Sequence, residues 1–216
     1  MKRSTNKYLC FGAVVACVFA ACLSYFLRND GKSPRTTPVS SLSPKFNATG
    51  QSAVCVALAA ALPDAVYTAQ HPTFQASTNS YWSLNACESE PACIVQPTTT
   101  EEVAAAVKLL KIAFDATKEG DSPIRFAVRS GGHAPERGFA SVDEGVVIDM
   151  RRINEVEVSE DKQSTTIGVG ARWRDVYSKL DDMGLSVVGG RSANVGVGGL
   201  VLGGMYSYAC RNDHLE

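Results

Sequence analysis

Glycine crowds one stretch near the end of the chain, where Gly189, Gly190, Gly196, Gly198, Gly199, Gly203 and Gly204 fall close together. Glycine loses more backbone freedom on ordering than any other residue, so a run this dense is costly to fold. It makes sense where main chain rather than side chain must lie against a bound group such as a pyrophosphate. A shorter segment, Arg129-Ser130-Gly131-Gly132-His133, follows a strand expected at Ile124–Val128. Paired glycines there would let a ligand approach the backbone and expose amide N–H groups in an anion-binding concavity. Ser130 adds a hydroxyl, Arg129 a fixed positive charge, and His133 a nucleophilic ring nitrogen at the end of the loop.

Glycine-rich turns also mark the Rossmann dinucleotide fold, whose fingerprint is G-x-G-x-x-G/A with an acidic residue about 20 positions on. This chain does not carry it. Gly196-x-Gly198 meets Val201 at the third position, and Gly168-x-Gly170 meets Trp173. A nicotinamide dehydrogenase of the usual kind is thereby disfavoured.

The first fifty residues read as separate from any fold. Lys2, Arg3 and Lys7 precede an uncharged apolar run from Tyr8 to Leu27, closed by Arg28, Asn29 and Asp30. A basic start before an apolar stretch is a secretory signal, and this one is long enough to be either a cleaved signal peptide or an uncleaved signal-anchor. Both place the remainder outside the cytosol, secreted or membrane-anchored in the secretory pathway, with membrane contact only through that segment. Residues 28–50, rich in Ser, Thr, Pro and Lys, read as a disordered linker, and Asn47-Ala48-Thr49 is a glycosylation sequon. The domain expectation is therefore a leader at 1–27, a linker at 28–50 and a folded part at 51–216. A net charge of −1 gives no electrostatic case for nucleic acid. Cys55, Cys87, Cys93 and Cys210 fall in the part expected to face an oxidising compartment, and three disulfide pairings of the four are open. The histidines are widely spaced and there is no CxxC, so no metal site is expected.

Periodicity supplies the elements. A short helix is expected at 53–62, closed by Pro63, and a strand at 92–96. Thr98, Thr99 and Thr100 ahead of Glu101 and Glu102 give a capping-box start to a helix. Its apolar face is read from Val103, Val107, Leu110 and Phe114, and Lys118 and Gly120 mark its end. Strands are expected at Ile124–Val128, Val146–Asp149, Glu155–Val158 and Thr165–Val169. A helix at Trp173–Met183 and a strand near Ser186–Val188 follow. Trp173 and Tyr177, four apart, read as one helix face packed on a core. Arg172 and Arg174 read as a solvated face, and Asp149 as a strand-end cap. These elements alone leave α/β and α+β architectures both open.

Arg129–His133, Val146–Met150, Gly168-Val169-Gly170 with Trp173, and Val195–Gly204 occur in an order that resembles FAD-linked oxidases of the vanillyl-alcohol-oxidase superfamily. The similarity is greatest to the berberine-bridge-enzyme-like branch of fungi. Pro97–Val103 is similar too, and the resemblance spans residues 53–207. It implies an α+β fold, the PCMH-type FAD-binding domain, with its N-terminal subdomain and part of the second. The cofactor implied is FAD, held by Arg129, Ser130, Gly131, Gly132, His133, Gly196, Val197, Gly198, Gly199 and Gly203. The family's covalent bond to the flavin 8α position falls on His133. A second tether, a cysteine in some members, falls on Ser192, so a single covalent bond is expected. The family pattern also implies pairing of Cys55 with Cys93, leaving Cys87 and Cys210 unpaired.

The same resemblance implies a small-molecule substrate carrying C–OH or C–N, oxidised by hydride transfer to FAD, which O2 reoxidises. Met205 stands where the family has a third glycine, and Tyr208–Glu216 departs from the pattern. The catalytic residues are expected beyond Glu216, with the chain an N-terminal portion of the enzyme. The alternative expectation is a non-catalytic secreted or tethered glycoprotein derived from the flavin fold.

Overall fold

The computed structural model describes residues 51–204. The leader, the linker with Asn47, and Met205, Cys210 and the Tyr208–Glu216 segment lie outside the described residues.

A mixed four-stranded sheet organises the first part. Its strands are β1 (Val66–Tyr67), β2 (Cys93–Val95), β3 (Phe126–Arg129) and β4 (Val146–Asp149), in the order β1-β2-β4-β3. β1 runs antiparallel to β2, while β2, β4 and β3 are mutually parallel. Strand β4 enters last, between the other two, and is buried along its whole length. Its Val146-Val147-Ile148 is the continuous apolar run expected of a central parallel strand, closed by Asp149. β3 lies at the edge, so Ala127 and Arg129 point inward while Phe126 and Val128 are exposed.

One sheet face is covered by helices α1 (Gln51–Ala61) and α4 (Thr100–Asp115). Leu58, Leu109, Leu110, Ala106 and Ala113 pack there on Val95, Val146 and Ile148. Each large apolar side chain fully buried in this way contributes about 1.5–3 kcal/mol. A disulfide joins Cys55 on α1 to Cys93 on β2. Cys87 carries a free thiol. The opposite face is thinner, with Phe74 of helix α2 (Pro72–Thr78) on Ile94 and Val147.

The buried stripe of α4 is not the one its large apolar residues suggest. Val107 and Phe114 are exposed, and two alanines, Ala106 and Ala113, face the core beside Leu109 and Leu110. Small side chains let α1 approach closely, and hydropathy alone does not weigh them as core. The start of α4 follows its capping signal. Thr99 Oγ accepts from the Glu102 amide at 3.2 Å, while the Glu102 carboxylate accepts from the Thr98 amide at 2.6 Å and its hydroxyl at 2.9 Å. These bonds hold the Glu102 carboxyl below its ordinary pKa.

The second part begins after a 3-10 turn at Met150–Arg152. It contains the antiparallel pair β5 (Val156–Val158) and β6 (Thr165–Ile167) and helix α5 (Trp173–Asp181). Its core gathers Val156, Ala171, Trp173, Val176, Leu180 and Val197. Trp173 stacks on Tyr177 at 5.6 Å, in agreement with the one-face reading. The strand expected at Ser186–Val188 does not form; that segment is irregular, and Val187 packs on the Trp173 core without a partner strand. The glycine run holds a short helix instead, α6 (Val197–Leu202). Other elements with weak sequence signals are β1, α2 and α3 (Leu84–Cys87). Among the described residues, no helix is long and apolar enough to cross a membrane.

Candidate cofactor site

β3 delivers Arg129 to its end, and the chain then turns through Ser130, Gly131 and Gly132 to His133. The Arg129 side chain does not enter the loop's concavity. It turns inward, 1% exposed, into a polar cluster beneath the loop. Its Nη1 donates to the Ser77 carbonyl at 2.7 Å, its Nη2 donates to Ser80 Oγ at 2.8 Å, and the guanidinium lies 3.8 Å over the Tyr81 ring. Asp149, in register with Arg129 on the neighbouring strand, is fully buried opposite it. One Asp149 oxygen accepts from Ser77 Oγ at 2.6 Å, from Gln96 Nε2 at 3.1 Å and from Arg151 Nε at 2.8 Å. The other accepts from the Arg151 amide and caps the 3-10 turn, as a strand-end cap should.

Two buried charges of opposite sign that share Ser77 satisfy each other in a site where an isolated charge is prohibitive. Burial still pushes the Arg129 guanidinium down from its ordinary pKa, with Asp149 and Tyr81 opposing the shift. Burial likewise raises the Tyr81 phenol.

The two glycine-rich segments meet backbone to backbone. A Cβ on Gly131 would strike the main chain of Gly196, and a Cβ on Gly196 would strike that of Gly131. Ser130 Oγ donates to the Val169 carbonyl at 2.6 Å. Arg172 Nη2 donates to the Gly131 carbonyl at 3.1 Å, and Nη1 donates to the Asn194 carbonyl. Arg172 thus clamps one segment to the other instead of forming a solvated face; Arg174 is the exposed one of the pair. Burial lowers the Arg172 pKa, with the like charges of Arg174 and Arg151 adding to the effect.

The expected cofactor residues divide on this frame. Gly131, Gly196 and Gly198 line the junction, with Ser130 beside them. The Val197 and Gly198 amides donate inward, to the Ala171 carbonyl at 2.9 Å and the Val169 carbonyl at 3.3 Å, and the Val197 side chain belongs to the second core. Gly199 faces open space. Gly203 caps the far end of α6 and donates to the Gly199 carbonyl, away from the junction. Gly189 and Gly190 belong to the core, because a Cβ at either would meet the Trp173 ring. Ser192 is exposed.

Gly132 takes a left-handed φ of 66°, which brings its backbone down on the Arg129 guanidinium. His133 follows. Its Nδ1 is buried and accepts no hydrogen bond, and its ring lies 4.9 Å from that of Trp82. Trp82, with Ser77, Ser80, Tyr81 and Gln96, was not legible as part of the site; only its aromatic neighbour in Tyr81-Trp82 hinted at packing.

A family model described as an FAD binding domain matches residues 91–215. The chain belongs to that family. An FAD-dependent monooxygenase of Penicillium roqueforti is 38% identical over 161 residues, covering 74% of this chain and 29% of that protein. One from Aspergillus niger is 37% identical over 139 residues, covering 64% and 22%. The chain spans less than a third of the length of the curated relatives it matches. Among solved structures, a glucooligosaccharide oxidase from Acremonium strictum superposes with a TM-score of 0.58 at 28% identity, over 72% of this chain and 30% of that one. That enzyme carries 6-S-cysteinyl, 8α-N1-histidyl FAD. A BBE-like protein of Physcomitrella patens, 23% identical, shares the fold with a TM-score of 0.57 over 74% of this chain and 32% of its own. The α+β FAD-binding fold and the fungal affinity expected from the sequence agree with these matches.

This FAD-binding domain has two features that suit a flavin nucleotide. The Gly131–Gly196 contact, too close for a Cβ on either residue, joins the two glycine-rich segments into one main-chain surface, and His133 offers a buried imidazole nitrogen with no partner.

Proposed function

We propose that the chain is the FAD-holding part of an FAD-dependent oxidoreductase, with its flavin tethered through His133 alone. The observation that carries the reading is the unpartnered Nδ1 of His133 at the end of a glycine loop whose other end rests on Gly196. A histidine nitrogen is a nucleophile only while its lone pair is free. His133 Nδ1 would hold the flavin through its 8α carbon, and the tether would keep the cofactor in place. Ser192 has a hydroxyl where a thiol would be needed for a second tether, which supports a single bond.

Ser130, Gly131, Gly196, Gly198 and Gly199 supply the main-chain surface for the nucleotide. Arg172 holds the two segments together, and Arg129 holds the loop from beneath. The bound flavin supplies hydride acceptance, and the protein supplies position and electrostatics. The whole enzyme is proposed to oxidise a small molecule bearing a C–OH or C–N group and to return electrons to O2. The basic and apolar start of the chain, with Cys55 and Cys93 disulfide-bonded, supports a secreted or membrane-anchored setting with a usable sequon at Asn47.

The test is acid precipitation of the full chain made in a secretory host, followed by in-gel flavin fluorescence. Fluorescence that survives denaturation in the wild type and disappears in His133→Ala is the expected result. A folded chain without flavin would point to the non-catalytic glycoprotein.

A further inference from the structure

Three consecutive residues between β1 and β2, Ser80, Tyr81 and Trp82, each touch the histidine loop. Ser80 Oγ accepts from Arg129 Nη2 and from Arg151 Nη2, both at 2.8 Å. The Tyr81 ring lies 3.8 Å under the Arg129 guanidinium, and its hydroxyl donates to the Ala140 carbonyl at 2.7 Å, in the segment that leaves the loop. The Trp82 amide donates to the Gly132 carbonyl at 3.0 Å, and its indole packs on the His133 imidazole with 33° between the planes.

We propose that Ser80–Trp82 is a brace that sets the His133 ring for attachment of the flavin, with Trp82 as the positioning residue. The inference rests on the His133 tether proposed above. An imidazole at the end of two glycines has a flexible base, so its direction must be fixed from outside the loop. The amide bond from Trp82 fixes the Gly132 carbonyl, and the indole blocks ring rotation on one side. Neither contact occupies Nδ1, and an indole face offers that nitrogen no strong hydrogen-bond partner. The ring is therefore held while its lone pair stays free.

Trp82 is 63% exposed, so packing into a core does not account for its position. A residue so exposed is also removable with little damage to the fold.

The experiment uses the full chain from a secretory host, as wild type, Trp82→Ala, Trp82→Phe and His133→Ala. FAD is added to flavin-free protein, and the rate of covalent incorporation is followed by acid-stable fluorescence. Total bound FAD and the melting temperature are measured alongside. Trp82→Ala is expected to slow incorporation by about ten- to a hundredfold, the scale of a misplacement of roughly 1 Å. Bound FAD and melting temperature should stay near wild type, and Trp82→Phe should recover most of the rate. In the flavin-free protein the His133 ring protons should show an indole ring-current shift in NMR that Trp82→Ala removes. Unchanged incorporation in a flavinylated Trp82→Ala chain overturns the brace and leaves the tether standing. A wild type with no covalent flavin overturns both, and a missing ring-current shift overturns the brace without reference to flavin.

Discussion

Residues 51–152 and residues 153–204 each supply one of the two glycine-rich segments that meet at the candidate site, and they secure it differently. In the first, side chains do the holding. Arg129, Asp149 and Arg151 form a buried cluster under the loop, and a disulfide ties helix to sheet toward the other end of the strands. In the second, a single core around Trp173 carries the segment, and glycines adapt the main chain to it. The contrast teaches that similar glycines have different reasons to be there. Gly131 and Gly196 make room for each other, Gly132 for a guanidinium, Gly189 and Gly190 for an indole, and Gly199 for nothing within reach.

Six variants sharpen this comparison. Gly196→Ala should do most harm, because its Cβ meets main chain that cannot swing aside. A cost of at least about 3 kcal/mol and loss of bound FAD are expected, the upper range for overpacking. Gly199→Ala, facing open space, should leave the melting temperature nearly unchanged; equal losses at the two sites would remove the distinction. Replacing Cys55 and Cys93 together by Ser should cost about 3–4 kcal/mol in denaturant unfolding, by the loop-closure estimate for a sequence separation of 38. That loss should fall on the first region, so hydrogen exchange in α5 should change least.

Gly189→Ala should cost about 1–3 kcal/mol through strain against Trp173 while FAD retention stays intact. A loss of flavin there would mean that both segments serve the cofactor directly. A smaller loss belongs to Thr99→Ala, at about 1 kcal/mol for a lost helix cap. The partner carboxylate, Glu102, has a lowered folded pKa. Its contribution is complete above the ordinary carboxylate pKa and fades as pH falls through the lowered value. The penalty of Glu102→Gln should therefore shrink in acid, read as a converging pair of melting curves.

Much of the fold was legible. β4, with four apolar or capping residues in a row, lies at Val146–Asp149 as expected, and the capping box fixed the start of α4. Periodicity misjudged the buried face of α4 because alanine carries little hydropathy signal, yet Ala106 and Ala113 are what the neighbouring helix can approach. Val187 suggested a strand, but its side chain is absorbed by the Trp173 core and no partner strand lies beside it. The site was legible as two loops and illegible as one object. Nothing in the sequence says that Gly131 touches Gly196, that Arg129 turns inward, or that Arg172 bridges the loops. These are long-range contacts, set by where β4 enters the sheet and not by local pattern.

The Gly131–Gly196 contact also has a consequence for synthesis. A ribosome delivers the histidine loop well before it delivers the glycines that back it, so a nascent chain displays Arg129–His133 as an unsupported turn. The junction can form only once the second segment has emerged and folded over Trp173. On the proposed reading, flavin uptake would thereby report on completed folding, and chains arrested before Gly196 would carry none.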